Sequence, residues 1–313
     1  MPSLPTSPAG VSDSLEARPG AGERPKRIGL VVHPSRSIDL PLQLLTEWAS
    51  EHGVEIVQVP AAYNQRHVAE ESDPTQSDLI VSIGGDGTTL AALRTGAIAG
   101  RPVLGIACGS LGALATVSVS DVPRSLERFS AGDWRPRMFP ALSVGGASAE
   151  PLFALNDVTV VRTAGGQIRV SAVLDGQPYA HIAGDGAVVS TPIGSSGYAI
   201  SAGGPLLAPG FEGFVFTPLP THGGFCPPMV MGARSELRLE ISAGFSGARL
   251  EIDGQVAEPR VRSLTISLRD GVATMVSFDG QESLLAGLRR RRIILDSPRV
   301  SGDADADSAA CPV

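Results

Sequence analysis

The pattern of hydrophobic and polar positions divides the chain into two parts with different periodicity. In the first part, continuous apolar runs alternate with stretches in which apolar residues recur at helical spacing. The predicted strands are 27–32, 54–59, 78–83 and 101–106, and the predicted helices are 38–51, 89–94 and 122–129. This alternation is typical of a Rossmann-like parallel sheet covered by helices, so we predict an α/β domain over residues 25–138.

The second part of the chain consists of short segments rich in β-branched and alternating residues, separated by glycine turns. Its predicted strands are 140–144, 153–161, 167–174, 187–190, 236–242, 249–252, 264–268 and 272–278, with helix-like stretches at 195–201 and 283–288. We predict a mainly β domain over residues 139–276 and a C-terminal segment over 277–296. Small and polar residues dominate 1–24 and 297–313, which predicts a disordered leader and a disordered tail.

One glycine-rich stretch, Gly84-Gly-Asp-Gly-Thr88, joins a predicted strand to a predicted helix. Glycines allow backbone N–H groups to approach phosphate oxygens, and a helix N-terminus adds partial positive charge. We therefore predict that Gly84, Gly85, Gly87 and Thr88 form a phosphate-donor loop. The carboxylate of Asp86 repels phosphate, so its presence indicates a general base or a magnesium ligand. The alternative is a plain turn in which this aspartate caps the helix.

A second polar cluster lies in the β-rich part, over residues 184–205. It is dense in glycine and hydroxyl groups, which suits a surface that a ligand approaches closely. Tyr198 offers a ring on which a base can stack, and four hydroxyls are candidates for bonds to sugar or phosphate oxygens: Thr191, Ser195, Ser196 and Ser201. The alternative is a turn-rich hairpin that ends at a helix-capping serine.

The pair Asn156-Asp157 interrupts the otherwise apolar segment 153–161. Strands favour neither residue. The pair therefore marks a bulge or a strand end, or it presents a carboxamide and a carboxylate to a ligand such as a ribose.

Composition excludes some classes of function. The chain has 313 residues, a net charge of -7 and a hydrophobic share of 42%, which is ordinary for an enzyme of about two domains. The acidity argues against nucleic acid as a partner, because such binding needs clustered Lys and Arg. The short basic run 289–292 is more typical of a solvated helix end or a salt-bridged segment.

Cysteine and histidine usage gives no metal or disulfide pattern. Cys108, Cys226 and Cys311 are widely separated, and the histidines lack zinc spacing. We expect a reduced, cytoplasmic protein. The N-terminal stretch lacks the features of a signal peptide, and no window is long and apolar enough to span a membrane, so we predict no membrane partner.

Taken in chain order, four motifs resemble the NAD kinase family: Gly84 to Thr88, Leu155-Asn-Asp157, the run 184–205 and Asp253-Gly-Gln255. The resemblance implies an active site in the cleft between the α/β domain and a β-sandwich-like substrate-binding domain, with the C-terminal segment returning to the first domain. It implies transfer of the γ-phosphoryl group of ATP, or sometimes of polyphosphate, to the 2'-hydroxyl of the adenosine ribose of NAD, with Mg²⁺. Members of this family are usually homodimers or homotetramers.

The resemblance also implies roles for individual residues. Asp86 matches the base that takes the 2'-hydroxyl proton, and Asn156 and Asp157 match the pair that contacts the dinucleotide. Asp185 matches an acidic substrate contact in the cleft. The remaining substrate contacts that we predict lie in the second cluster: Ser196, Gly197, Tyr198 and Ser201.

Some positions depart from the family pattern. Ile193 replaces a threonine, Gly197 an alanine and Ser110 an asparagine, and the segment around Cys226 has lost an arginine. These changes leave three hypotheses: an NAD kinase, a kinase of the same fold that phosphorylates the 2'-hydroxyl of another nucleoside or nucleotide in specialised metabolism, and an idle nucleotide-binding or sensor protein. Retention of Asp86 argues against the third.

Overall fold

A computed structural model describes residues 24–296, apart from residue 64 and the segments 149–151 and 245–246. The predicted tail, 297–313, and the predicted leader, apart from residue 24, lie outside the described residues.

The first part of the chain forms a parallel sheet with helices on both faces, as predicted. Four strands pair in the order β2-β1-β3-β4, and all three pairings are parallel. Their bounds are β1 Arg27–Val32, β2 Glu55–Gln58, β3 Leu79–Gly84 and β4 Val103–Ala107. The helices are α1 Asp39–His52, α2 Asp86–Ala99 and α3 Val122–Ser130. Because helices cover both faces, the strands are buried on both sides, which explains their unbroken apolar runs.

The two faces of this sheet pack against different helices. On one face, α1 and α3 bury Trp48 and Phe129 against alternate residues of β1. The Trp48 indole N–H donates a 2.7 Å hydrogen bond to Glu127 Oε1, which joins the two helices. On the other face, α2 packs together with residues that come from the β-rich part, among them Phe153 and Leu155. The helix that follows the glycine loop therefore lies at the junction of the two parts.

The second part of the chain is a sandwich of two sheets. One is antiparallel and six-stranded, in the order β12-β11-β10-β7-β14-β15, and the other strands join the sheet of the first part. The bounds are β5 Arg135–Gly145, β6 Leu152–Ala154, β7 Asp157–Arg162, β8 Ile168–Leu174, β9 Gln177–Gly184, β10 Gly186–Ser190, β11 Gly213–Pro218, β12 Met229–Gly232, β13 Glu236–Ser242, β14 Ala248–Ile252, β15 Gln255–Glu258 and β16 Ser263–Ser277. Two short helices complete the described chain, α4 Tyr198–Ser201 and α5 Leu284–Arg290. A single apolar core lies between the sheets, with Phe214 and Phe216 at its centre, both fully buried.

One long strand, β16, belongs to both parts. Near its end, Met275 pairs in parallel with Val103 of β4, and along its length it pairs antiparallel with β5 and β13. The register shifts between Arg269 and Ala273. The sequence suggested two strands here, at 264–268 and 272–278, and this was wrong because the polar break between them is an irregularity within one strand.

The predicted strand 153–161 is also wrong. The segment forms β6 in the larger sheet and β7 in the smaller one, and the chain crosses between the sheets at Leu155 and Asn156. Asn156-Asp157 therefore marks a strand end. The four strands that sequence patterning missed, β9, β11, β12 and β15, are short or carry proline, histidine or glycine, which weakens the alternation signal.

The α/β and mainly β architecture that we predicted is confirmed. None of the helices in the described ranges has the length and apolar character needed to cross a membrane.

Replacing Phe214 by alanine is expected to destabilise the protein by about 3–5 kcal/mol, because its ring is fully buried between the two sheets and its loss leaves a cavity. Urea-induced unfolding measures the change. Phe225→Ala is the matched control: this ring is 88% exposed, and its removal is expected to change the free energy of unfolding by no more than about 0.5 kcal/mol. Equal losses in the two variants would contradict the placement of the core.

Candidate active site

The predicted phosphate-donor loop is a tight connection between β3 and α2. β3 ends at Gly84, Gly85 is the extended N-cap residue, and α2 begins at Asp86. A Cβ atom at position 84 would lie 2.3 Å from Thr88 Oγ1, so only glycine fits there. A Cβ atom at position 87 would meet no heavy atom within 4 Å, so this side of the helix N-terminus is open. The loop therefore combines a closed inner face with an open outer one.

The carboxylate of Asp86 lies among four N–H donors. Oδ1 accepts hydrogen bonds from the backbone N–H groups of Leu114 and Ala115, at 2.9 and 3.1 Å. Oδ2 accepts one from the N–H of Ala113, at 3.0 Å, and an ion pair from Arg291. A carboxylate has about four lone-pair positions, so all of them are engaged. A ligand hydroxyl that reaches Asp86 must therefore take the place of one donor.

Gly112 makes this arrangement possible. A Cβ atom there would lie 1.8 Å from Asp86 Oδ1. The segment that follows β4 thus closes over the first turn of α2 only because position 112 has no side chain. The sequence contained this glycine, but local patterning gives no signal that it touches Asp86.

Arg291 comes from the C-terminal segment, in the basic run 289–292. Three arginines of this run form ion pairs: Arg289 with Asp296, Arg290 with Glu282 and Arg291 with Asp86. The prediction of a salt-bridged segment is confirmed. The contact of this segment with the phosphate loop is a further feature that local reasoning missed.

Asn156 lies where the chain crosses between the sheets, and its backbone is locked against the second cluster. Its carbonyl accepts a 2.9 Å hydrogen bond from the N–H of Thr191. A Cβ atom at Gly194 would lie 1.9 Å from the same carbonyl oxygen. The side-chain oxygen of Asn156 is buried and has no hydrogen-bond partner among the described residues. An unpaired buried acceptor is unfavourable by about 1–3 kcal/mol, so this oxygen is a candidate ligand contact.

Asp157 is buried and carries a strongly shifted pKa. Burial, assisted by the negative charges of Asp253 and Glu251 and opposed by a hydrogen bond from the Thr159 hydroxyl, raises the pKa of Asp157 from 3.8 to about 7. The carboxyl group therefore titrates near neutral pH. It sits one residue beyond Asn156, at the start of β7.

Three predicted substrate residues, Asp185, Tyr198 and Ser201, line one open crevice together with the loop that carries Phe225. Asp185 Oδ1 is 2.6 Å from Arg162 Nε, a contact that the sequence did not suggest. Burial raises the pKa of the Tyr198 hydroxyl, and three nearby carboxylates raise it further: Glu251, Asp185 and Asp157. This half-exposed aromatic ring therefore lies near carboxylates, two of which, Asp185 and Glu251, are paired with arginines.

The hydroxyl groups of the second cluster have different environments. Thr191 Oγ1 donates to the carbonyl of Leu155, and Ser195 Oγ donates to the carbonyl of Pro192; both residues are fully buried. The prediction that these two hydroxyls contact a ligand is wrong, because they stabilise the backbone of the turn. The hydroxyls of Ser196 and Ser201 also donate to carbonyls of their own turn, at Ile193 and Gly197, but their residues remain partly accessible. Gly197 lies between a short 3₁₀ turn, Gly194–Ser196, and α4.

Ile193, the most apolar departure from the family pattern, is partly buried and packs against the core that includes Leu155. The isoleucine side chain therefore adds apolar contact where the two parts of the chain meet.

The part of the chain that the structure describes contains no group of three or more His, Cys, Asp or Glu side chains arranged to hold a metal ion. Asp86 is the acid of the phosphate loop, and its lone pairs are already engaged. Mg²⁺ commonly binds one or two carboxylates together with nucleotide phosphates. The described residues therefore fit an ion that arrives on a phosphate chain and not a cage made of protein groups alone, and Asp86 contacts such an ion only after one of its four donors has left.

Comparison with known proteins identifies the family. The fold and the glycine loop define a phosphotransferase that binds nucleotides. Models of the ATP-NAD kinase N-terminal domain and the ATP-NAD kinase C-terminal domain match residues 41–134 and 155–275. The chain belongs to the NAD kinase family.

Relatives with this name cover most of the chain. It is 32% identical to the NAD kinase of Heliobacterium modesticaldum over 275 residues, which is 84% of this chain and 97% of that protein. It is 36% identical to the NAD kinase of Wolinella succinogenes over 187 residues, which is 58% of this chain and 63% of that protein.

Solved structures give the same result for the fold. An NAD kinase from Archaeoglobus fulgidus in complex with ATP matches with a TM-score of 0.68 and 26% identity, over 86% of this chain and all of that one. Yeast NADH kinase in complex with NADH matches with a TM-score of 0.74 over 87% of this chain and 89% of that one, and its identity of 18% is evidence for the fold alone.

Asp157→Asn is expected to stabilise the protein at high pH. Because the pKa of Asp157 rises from 3.8 to about 7 on folding, the stability associated with its protonated form is complete below about pH 4 and is lost as the pH rises to about 7. A shift of one pKa unit corresponds to about 1.4 kcal/mol, so the free energy of unfolding of the variant is expected to exceed that of the wild type by up to about 4 kcal/mol at pH 8. This difference is expected to shrink toward pH 4.5. Urea unfolding across this pH range measures it.

The matched control is Asp270→Asn, at an exposed position. The difference in free energy of unfolding between this variant and the wild type is expected to stay constant between pH 4.5 and 8. A constant difference for Asp157→Asn as well would show that this carboxyl group is ionised throughout the range.

Proposed function

We propose that this protein is an ATP-dependent NAD kinase, which transfers the γ-phosphoryl group of ATP to the 2'-hydroxyl of the adenosine ribose of NAD and forms NADP. The observation that carries this proposal is the Asp86 carboxylate at the open N-terminus of α2, in a chain whose relatives over most of its length are named NAD kinase. The complex of the Archaeoglobus fulgidus enzyme with ATP supports ATP as the donor.

The phosphate chain of ATP fits the glycine loop. The first N–H groups of a helix have no partner within the helix, and they favour anions. The open side of Gly87 lets phosphate oxygens approach these groups. The guanidinium of Arg36 adds positive charge, since its Nη1 atom lies 3.4 Å from the position of a Cβ atom at Gly85.

The transfer step requires a base and an oriented acceptor. The acceptor 2'-oxygen forms a bond to the γ-phosphorus while the bond from that phosphorus to the β,γ-bridging oxygen breaks, ADP leaves, and the hydroxyl proton goes to Asp86. In our proposal, the side-chain oxygen of Asn156, which has no partner among the described residues, accepts a hydrogen bond from the ribose. Mg²⁺ bound to the ATP phosphates would neutralise charge on the transferred group.

Asp86 becomes available to the hydroxyl when one of its four donors leaves. Three of these are backbone N–H groups of the loop 113–115, and the fourth is Arg291. Arg291 is the one that moves in our proposal, because its side chain is 41% exposed.

Asp157 and the second cluster supply the rest of the acceptor site. In our proposal, the dinucleotide is contacted by Asp157, Asp185, Ser196, Gly197, Tyr198 and Ser201.

Three further expectations stay predictions: the homodimer or homotetramer, the cytoplasmic location and the use of polyphosphate as an alternative donor.

Asp86→Asn is expected to lower kcat at least about 100-fold, because an amide cannot take the hydroxyl proton. The assay follows NADP formation by the purified full chain from NAD, ATP and Mg²⁺, and urea unfolding checks that the variant is folded. Asp270→Asn is the matched control and is expected to keep full activity. Activity of Asp86→Asn close to that of the wild type would remove this residue from the role of base.

The same assay with a panel of NADH, nucleosides and other nucleotides separates the acceptor hypotheses. Phosphorylation of NAD alone, or of NAD and NADH, supports the proposal. Transfer to a different ribose 2'-hydroxyl in place of NAD would make the protein a nucleoside or nucleotide kinase of the same fold. Nucleotide binding without turnover would make it an idle binding protein.

Gly87→Ala is expected to raise the stability of the protein and to weaken its use of ATP. The added methyl group has open space and replaces a helical glycine, which is worth up to about 1 kcal/mol. The same methyl group occupies the side from which phosphate approaches, so KM for ATP is expected to rise roughly 10-fold. Gly232→Ala, where a Cβ atom also meets nothing within 4 Å, is the control and is expected to leave KM unchanged. An unchanged KM in both variants would mean that ATP does not approach Gly87.

A further inference from the structure

Arg94 and Asp253 form a buried contact between the two parts of the chain. Arg94 lies on α2, about two helical turns beyond Asp86. Its Nη1 atom donates a 2.6 Å hydrogen bond to the carbonyl of Phe153 and lies 3.5 Å from Asp253 Oδ2. The two charged side chains are only 11% and 8% exposed. The guanidinium also lies over the ring of Phe153, 4.4 Å from its centroid.

Asp253 holds the backbone at the crossing between the sheets. Its Oδ1 atom accepts hydrogen bonds from the N–H groups of Asn156 and Asp157, at 2.7 and 3.3 Å, and its Oδ2 atom accepts one from Leu155, at 3.1 Å. The N–H of Asp253 returns a 2.9 Å bond to the carbonyl of Asp157. One carboxylate therefore serves three consecutive residues of the candidate site.

The backbone of Asp253 is itself constrained. It has a φ of 50°, in the left-handed region that most residues avoid, at the turn between β14 and β15. With Gly254 at a φ of 76°, it forms a two-residue hairpin turn of the kind in which Asp-Gly and Asn-Gly are the preferred pairs. Asparagine, which tolerates the same region, is therefore a suitable replacement for testing the charge without changing the turn.

Burial makes this ion pair an inefficient way to gain stability. Burial raises the pKa of Asp253, against the hydrogen bonds from Asn156 and Leu155 and the charge of Arg94. Burial likewise lowers the pKa of Arg94, against the charge of Asp253. Removing two charges from water offsets much of their attraction, and apolar residues of similar volume often stabilise a protein equally well. What the pair adds over apolar packing is a fixed geometry.

We propose that Arg94 and Asp253 are a positioning pair for the transfer reaction, which fixes Asn156 relative to the helix that carries Asp86. The inference rests on the proposed function. Asp253 sets the position of the Asn156 backbone, and Arg94 ties Asp253 and Phe153 to α2. The acceptor contact and the phosphate loop are in this way connected through one ion pair.

The test uses Arg94→Lys and Asp253→Asn in the full-length protein. Lysine keeps the charge but is shorter than arginine and lacks the planar guanidinium that lies over the ring of Phe153. Asparagine loses one acceptor oxygen and the charge. Each variant is expected to lower kcat roughly 10- to 100-fold for NAD phosphorylation while KM for ATP changes less than about 3-fold.

Arg128→Lys is the matched control. Arg128 also pairs with an aspartate, Asp133, at 2.6 Å and lies over a phenylalanine ring, that of Phe278, but it is on α3 on the other face of the sheet. The kcat and the KM for ATP of Arg128→Lys are expected to stay within about 2-fold of the wild-type values.

A mutant cycle distinguishes positioning from general loss of structure. If the pair acts through Asn156, then Arg94→Lys is expected to lower kcat less than 3-fold further in an Asn156→Ala background, because the contact that it positions is already absent. Losses that multiply in the double variant, or single variants with unchanged kcat, would overturn the proposal.

Backbone hydrogen exchange gives a readout that does not depend on NAD turnover. The amides of residues 155–157 are expected to exchange at least 10-fold faster in both Arg94→Lys and Asp253→Asn, and at the wild-type rate in Arg128→Lys. Unchanged exchange in Arg94→Lys would overturn the connection to α2 even if the enzyme is active. If the two variants exchange faster but the wild type forms no NADP, the connection to α2 holds and the proposed reaction is rejected.

Discussion

A chain that leaves one sheet and enters another must find partners for the backbone N–H groups at the crossing, because buried N–H groups without partners are strongly unfavourable. This constraint shapes the centre of the molecule. The crossing at 155–157 obtains its partners from the carboxylate of Asp253, which is in turn held by Arg94 of α2. The candidate site exists in a defined geometry because this requirement is met by a side chain from a distant turn.

At the predicted phosphate loop, a carboxylate likewise provides partners for consecutive backbone N–H groups. The carboxylate of Asp86 collects the N–H groups of residues 113–115, as that of Asp253 collects those of residues 155–157. Each aspartate fixes a segment that has left its strand, and each is contacted by one arginine. The difference lies in solvent access: the arginine at Asp253 is nearly buried, whereas Arg291 at Asp86 is partly exposed. The buried pair of Arg94 and Asp253 is therefore firmly held, whereas the exposed contact of Arg291 with Asp86 can open.

Charge is arranged to match this division. Three carboxylates act on Tyr198, and two of them are balanced by arginines: Asp185 by Arg162 and Glu251 by Arg249. Positive groups are concentrated instead near the loop, in Arg36, Arg291 and the N-terminus of α2. A polyanionic phosphate chain is favoured at the loop, whereas the crevice suits the uncharged hydroxyls and rings of a nucleotide.

The sequence was sufficient to predict the parallel sheet, the glycine loop with Asp86 and the polar interruption at Asn156-Asp157, because these depend on local periodicity and on residue types with narrow backbone preferences. It could not show that β16 joins both sheets, that Thr191 and Ser195 point into the turn, or that Arg94, Asp253, Gly112 and Arg291 meet the site. Those features depend on contacts between residues far apart in the chain. They become visible in the folded molecule, because burial and hydrogen-bond satisfaction are properties of the packed chain and not of any one segment.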